Sequence, residues 1–387
     1  MTKEVYLDNS ATTRISEAAL SLYCELSREH YGNPSSLHHR GVDAEKYLTR
    51  TRESLCRALG SVGTVIFTGS GSEANNLAIF GRAHAKPRFA RGKIITTAGE
   101  HASVSLPLAR LREEGFTVSE IPTVGGRLDM DAFRSALSKD TVLVTMMLVN
   151  NETGATYDLQ SVSAETKRVC PDAVIHCDAT QAFLKFPFSV RRMGLDMVTV
   201  SAHKVEGPKG VGALWISDAL IKNKGIRPMI LGGGQEKGMR SGTENLPGIA
   251  AFGQAVEDGV KTLSLREDKM RALRERLLAA LQSEEFAEVK PLITPAPAPH
   301  ILNLALPSVK SEVMLHYLSS KGICVSSGSA CSSHGRHGAH PLLAYGLTER
   351  QADSSIRISF SAENTEEDVD TLCRELLSGV NTLARMR

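Results

Sequence analysis

Six short runs of β-branched and apolar residues alternate with amphipathic stretches of helix length, at 65–68, 94–97, 142–149, 174–177, 197–200 and 211–216. This is the α/β pattern, and it allows few architectures. The first five runs share a second property, because each is followed at once by polar, reactive residues. These are GSGSE, then AGEH, then NNETG, then Asp178 with Gln181, then SAHK. In open α/β sheets, ligands bind outside the carboxyl ends of the strands. Five such clusters are expected to converge on one site, and a purely structural protein has no need of that convergence.

The helical stretches between the runs fall at 73–84, 103–114 and 161–169. A longer helical pattern occupies 245–281, with one segment ending near Lys261 and a charged one, REDKMRALRERLLAAL, following. It is expected to carry the chain into a second, smaller α/β unit formed by the last hundred residues. The proline-rich 291–299 reads as an extended loop within that unit, and ILNLAL after it as a strand. The chain has 387 residues, two to three domains at ~150 residues each. A 42% hydrophobic share gives ample core material. With 45 basic and 43 acidic residues, the balance suits neither a nucleic-acid clamp nor a membrane-surface protein. The cysteines number seven, without a C-x-x-C pair, and the start MTKEVYLDNS has no apolar signal core. The longest apolar run, 142–149, is far short of a membrane span. A reducing, cytoplasmic setting is expected.

Several residues carry candidate chemistry, each beside a plainer alternative. TGSGSEANN (68–76) reads as strand, glycine-rich turn and helix. Gly71 lets backbone approach a ligand, Ser72 offers a hydroxyl, and the helix N-terminus favours phosphate. The same run fits a dinucleotide fingerprint or an ordinary capped helix. Lys204 in SAHK is placed to form a Schiff base with an aldehyde cofactor, or is a solvated surface charge. Asp178 suits a pyridinium nitrogen, or caps a helix starting near Thr180. His101 could stack on a flat ring or move protons, or bond to a helix N-terminus. In SSIRISFS, Arg357 and Ser359 share one strand face, opposite Ile356, Ile358 and Phe360. Arg357 on an open face would grip a carboxylate, or stay solvated. Cys331 lies among glycines and serines in VSSGSACSSHGRHGAH, an accessible loop suited to a reactive thiol. The other six cysteines sit in helix or strand patterns and read as core filler. His334, His337 and His340 follow at steps of three and mimic a ligand string, but with no second ligand cluster they read as solvated, and no metal is expected.

Taken together, the chain closely resembles the cysteine desulfurases, pyridoxal-phosphate enzymes of the class V aminotransferase family. The resemblance runs in order through YLDNSATT, YGNPSSLH, TGSGSEANN, GEHASV, VNNETG, HCDATQA, SAHK, GMRSGTEN and SSGSACSS to the strand with Arg357. It implies the type I fold of pyridoxal-phosphate-dependent transferases. A large domain with a mixed, mostly parallel sheet would span 15–260. A smaller C-terminal α/β domain, from 1–14 and 261–387, would carry the cysteine loop. It also implies roles. Lys204 would hold pyridoxal 5'-phosphate, Asp178 would pair with its ring nitrogen, Gln181 would bond its hydroxyl, and His101 would stack on its ring. Gly71, Ser72, Ser201 and His203 would hold the phosphate, with Thr243 reaching in from the partner in a homodimer. Asn151 and Arg357 would bind the carboxylate of L-cysteine, and Cys331 would take its sulfur as a persulfide, leaving L-alanine. The persulfide would pass to a sulfur-acceptor protein, for iron–sulfur cluster assembly or tRNA thiolation. Direct nucleic-acid or membrane binding is not implied.

Ser10 stands where the family usually has alanine, and TGSGSE replaces the commoner TSGATE, with Ser72 keeping the hydroxyl. The form SSGSACSS resembles the subgroup with a longer, exposed cysteine loop. A selenocysteine lyase, or another class V aminotransferase-like enzyme, is the alternative. A scaffold protein or dinucleotide binder is a further one, against which Lys204, Asp178 and Cys331 argue.

Overall fold

The computed structural model describes residues 4–327 and 341–384. Along the described chain the strands are β1 (Val5–Tyr6), β2 (Thr64–Thr68), β3 (Lys93–Thr97), β4 (Thr117–Ile121), β5 (Thr141–Met147), β6 (Val174–Asp178), β7 (Met197–Ser201) and β8 (Gly212–Ile216). They continue with β9 (Lys290–Pro291), β10 (Ile301–Ala305), β11 (Ile323–Cys324), β12 (Ser326–Ser327) and β13 (Ser355–Ser359). Seven of them form one sheet in the order β2-β8-β7-β6-β5-β3-β4. The pairs from β7 to β4 are parallel, and β8 runs antiparallel to both its neighbours. The fold is therefore α/β with a mixed, mostly parallel sheet, as expected.

Why these runs form central strands follows from their burial. Every residue of β2, β5, β6, β7 and β8 is buried. Successive side chains point to opposite faces. Phe67, Ile95, Val144, Ile175 and Val198 enter one core, while Ile66, Ile94, Leu143, Val174 and Met197 enter another. Each such side chain contributes ~1.5–3 kcal/mol on burial. The edge strand β4, TVSEI, has no counterpart in the sequence reading. It has one neighbour and is half exposed, so its residues need not be apolar.

The helix Leu246–Ala280 corrects one expectation, because no break occurs near Lys261. It is a single helix of 35 residues, about 52 Å long. Asn245 caps its start, the side chain accepting from Gly248 N at 3.2 Å. Gly259 does not interrupt it. The bare Cα admits Leu184, whose Cδ1 lies 2.9 Å from where a Cβ would stand. Helices Glu17–Arg28 and His39–Ala58, absent from the sequence reading, pack against this long helix.

A separate core gathers Leu7, Leu277, Leu304, Met314, Ile356 and Leu372. Beside it β12, β13, β10 and β9 form an antiparallel sheet, and β1 pairs with β11. The N-terminal segment is thereby laid across the C-terminal third, with Asp8 bridged to Ser359. Of the loop expected at 291–299, residue Pro291 belongs to β9, and the rest is held by Thr156 N donating to Ala296 O at 2.9 Å. Cys170 and Cys177 are buried, but Cys24 is exposed and is not core filler. Its helix buries Ala19 and Leu26, and Cys24, two residues from Leu26, faces the other way. Among the described residues no helix is long and apolar enough to cross a membrane.

Candidate active site

The carboxyl ends of β2, β3, β5, β6 and β7 open onto one cavity of about 370 Å³. The segments that follow all five strands line it, as the strand-end clusters imply. A second depression of about 380 Å³ lies at the other end of β2, around Thr64, and contains none of the candidate residues.

After β2, Ser70 caps helix Gly71–Ala83, its Oγ accepting from Glu73 N at 3.1 Å. The positive end of a 13-residue helix thus meets the cavity. Gly71 is tightly enclosed. A Cβ there would stand 3.3 Å from Ser201 Cβ and 3.4 Å from Thr180 Oγ1. Glu73 braces the turn, with Oε2 accepting from Gly69 N and Oε1 from Arg240 Nε, both at 2.9 Å.

Asp178 ends β6 almost fully buried. Oδ1 accepts from Thr180 N at 2.9 Å and Oδ2 from Asn75 Nδ2 at 2.8 Å. No helix begins at Thr180, since residues 180–185 are turn, so the cap alternative is not realised. His101 caps helix Ala102–Glu113, as its plainer reading has it, and also lines the cavity. Desolvation holds its pKa below the ordinary histidine value, with Lys204 and Arg357 pushing the same way and Asp178 and Glu152 opposing.

Lys204 follows β7, and its Nζ donates to Ser10 O at 2.5 Å and to Ala11 O at 2.8 Å. It is no solvated surface charge. Burial, and then the nearby Arg357 cation, bring its pKa down to about 8. His203 is pushed down to about 4, mainly by burial and then by Lys204. It is neutral near pH 7 and can offer the site a hydrogen bond but no charge.

Arg357 corrects the open-face reading, because it is buried. It donates to Asn151 O at 2.9 Å, to Glu152 Oε1 at 2.8 Å and to Asp8 Oδ1 at 3.1 Å. The face that alternation leaves free is covered by the N-terminal segment and by the turn after β5. Asn151 donates to Glu152 Oε1 at 2.9 Å, and Gln181 Nε2 donates to Ser10 O at 2.9 Å.

The buried Asn151 Oδ1, Gln181 Oε1 and Asn75 Oδ1 have no hydrogen-bond partner among the described residues. Such atoms are rare in a finished interior and fit a ligand that brings donors. With a helix N-terminus, a carboxylate and a desolvated amine in one cavity, they fit a flat, hydroxylated phosphate ester with an aldehyde.

Gly71, Ser72, His101, Asn151, Asp178, Gln181, Ser201, His203, Lys204 and Arg357 are all brought together here. Thr243 is not. It is exposed beside Gly69 and Arg240, outside the cavity. Cys331, His334, His337 and His340 lie outside the described residues. The described chain reaches that segment through Ser326, which lines the cavity. Among the described residues no cluster of His, Cys, Asp or Glu could hold a metal ion. Sequence reasoning missed Ser10, Asn75, Ser103 and Thr180. Asn75 had a usable signal, lying four residues after Gly71 and so on the same helix face.

The family described as Aminotransferase class-V matches residues 5–372. A cysteine desulfurase of Cereibacter sphaeroides is 38% identical over 381 residues, 97% of this chain and 95% of that protein. Among solved structures, a NifS-like protein superposes with TM-score 0.90 at 33% identity, over 98% of this chain and 100% of the other. SspA in complex with cysteine gives TM-score 0.79 at 28% identity, over 94% and 100%.

Proposed function

The chain belongs to the class-V aminotransferase family and is a pyridoxal-phosphate-dependent cysteine desulfurase, and we propose the following division of labour among its residues. The observation that carries it is the desolvated Lys204 amine, sharing one cavity with Asp178 and the N-terminus of helix Gly71–Ala83. Pyridoxal 5'-phosphate, when bound, supplies an electron sink for charge developing at the substrate Cα. Lys204 would hold it, Asp178 would face its ring nitrogen and Gln181 its hydroxyl, and His101 its ring. Gly71, Ser72, Ser201 and His203 would hold the phosphate, with Thr243 of a second subunit.

Arg357 and Asn151 receive the carboxylate of L-cysteine. Arg357 already bonds two carboxylates, and Asp8, with its side chain 19% exposed against 4% for Glu152, is the one able to give way. Lys204 Nζ moves the Cα proton. Cys331 Sγ then bonds to the substrate sulfur as the Cβ–S bond breaks. The bonding pair stays on the three-carbon fragment, which takes up protons and leaves as L-alanine, while the sulfur remains on Cys331 as a persulfide. From there it passes to an acceptor protein serving iron–sulfur assembly or tRNA thiolation in the cytoplasm. Residues 15–260 would act as the cofactor unit, and 1–14 with 261–387 as the unit carrying the cysteine loop. Purified protein that is yellow, bleaches with borohydride and releases alanine and sulfide from L-cysteine supports this reading. Activity confined to selenocysteine would replace it with a selenocysteine lyase.

Two expectations follow from the geometry. Only the free amine of Lys204 reacts with an aldehyde, and its share rises with pH through about 8. Cofactor uptake by the apo chain, followed by absorbance, should therefore accelerate through that pH and level off beyond it. Acceleration only through the ordinary lysine range near ~10.4 would contradict a desolvated amine.

Thr243 is exposed on a segment that also exposes Leu231 (78%). The active form should therefore sediment as a dimer, and Thr243→Ala should loosen the cofactor without splitting it. An active, cofactor-loaded monomer would rule out a shared site.

A further inference from the structure

Four side chains at the cavity wall form one continuous chain of hydrogen bonds. Asn75 Nδ2 lies 2.8 Å from Asp178 Oδ2 and 2.8 Å from Ser103 Oγ. Ser103 Oγ in turn lies 2.8 Å from His101 Nδ1, and Ser103 N donates to the same Nδ1 at 3.1 Å. We propose that Asn75 and Ser103 are positioning residues that link Asp178 to His101 and hold His101 neutral, with its proton on Nε2. The assignment deepens the reading above, in which these two side chains flank the cofactor ring.

The direction of every bond is determined by chemistry. An ionised carboxylate only accepts, so the Asn75 atom facing Asp178 is the amide nitrogen. Its second hydrogen points to Ser103 Oγ, which accepts it. The hydroxyl hydrogen of Ser103 is then free to donate to His101 Nδ1. The backbone N–H of Ser103 can do nothing but donate to that atom. Nδ1 must therefore keep its lone pair, and a neutral ring carries its proton on Nε2. Protonating Nδ1 would set an N–H against an N–H and turn the serine hydroxyl away.

Two further observations agree. Asn75 is 1% exposed, and its Oδ1 has no partner among the described residues, so there the amide is held by its two N–H bonds. The charged groups around His101 are Asp178, Lys204, Glu152 and Arg357; the two cations act with desolvation to lower its pKa and the two carboxylates oppose them, although part of the residue is exposed to solvent. A neutral ring can lie over an electron-poor aromatic face without adding positive charge to it. One amide thus positions Asp178 directly and His101 through Ser103, the two groups that would hold the ring.

The test reads the histidine itself. Nitrogen-15 NMR of the ring in ring-labelled apo protein, with His101 assigned by its loss in His101→Gln, reports tautomer and pKa without cofactor or turnover. Failure of the desulfurase reading is thus distinguishable from failure of this one. Wild-type His101 should show a bare Nδ1 and a protonated Nε2, and titrate below the ordinary histidine range. Ser103→Ala should raise its pKa by up to ~1 unit while the remaining backbone N–H keeps the proton on Nε2, and Ser103→Thr should restore the pKa. Asn75→Leu, which does not touch His101, should shift it in the same direction. In the loaded enzyme the same two variants should move the pH titration of cofactor absorbance, and Ser103→Thr should not. A proton on Nδ1 of wild-type His101 overturns the proposal, whether or not any variant folds. So does a folded Asn75→Leu chain with an unshifted His101.

Discussion

Lys204→Ala is expected to release no measurable alanine or sulfide from L-cysteine, and borohydride should fix no cofactor to it. Lys204 Nζ is the amine at the end of β7, and two backbone carbonyls, Ser10 O and Ala11 O, hold it inside the cavity. In the proposed division of labour the substitution removes both the covalent anchor and the group that moves the Cα proton. Loss of a positioned proton-transfer group alone costs ~10²–10⁴-fold, so the combined fall should reach the upper end or beyond. The fold should survive, because the amine is desolvated and its charge is disfavoured where it sits. A far-UV spectrum like the wild type would confirm this. Turnover within tenfold of wild type would remove Lys204 from the mechanism.

Cys331→Ser should give the second large effect, and of a different kind. The variant should be yellow and should bind L-cysteine, because the proposed cofactor and substrate contacts use Lys204, Asp178, Asn151 and Arg357. It should release no sulfide, because a serine oxygen is a poor nucleophile toward a thiol sulfur. Lys204→Ala thus loses both the cofactor link and turnover, whereas Cys331→Ser loses turnover alone. Loss of cofactor from Cys331→Ser, or steady sulfide release by it, would contradict this separation.

The strand ends were legible because they are a local property. A run of buried residues followed by Asp178, or by SAHK, places those side chains wherever the sheet's carboxyl edge lies, and β2 to β7 need only pair for the clusters to meet. The environment of Arg357 was not legible. Alternation along β13 assigns its face, but what covers that face is Asp8, 349 residues away in sequence, and the turn holding Glu152. The cover depends on β1 pairing with β11, two strands of two residues each, too short to leave a pattern. Cys24 was misread for a related reason. A helical pattern says that a cysteine is in a helix, and only the packing of Glu17–Arg28 against Leu246–Ala280 decides which face is inside. The unbroken long helix shows the same gap, since nothing around Lys261 in the sequence tells that Leu184 packs into the space beside Gly259. Asn75 lay within a motif chosen for its glycines, yet its link to His101 joins the segment after β2 to the segment after β3, and nothing in either segment announces the other.

The proposed chemistry requires that sulfur leave L-cysteine by bonding to Cys331. Wild-type protein, loaded with cofactor and given L-cysteine without an acceptor or reductant, can be digested and its cysteine peptides weighed by mass spectrometry. One extra sulfur is expected on the peptide containing Cys331 and on no other, with alanine formed in equal amount. An unmodified Cys331 alongside alanine production, or the extra sulfur on Cys24 or Cys324, would contradict it.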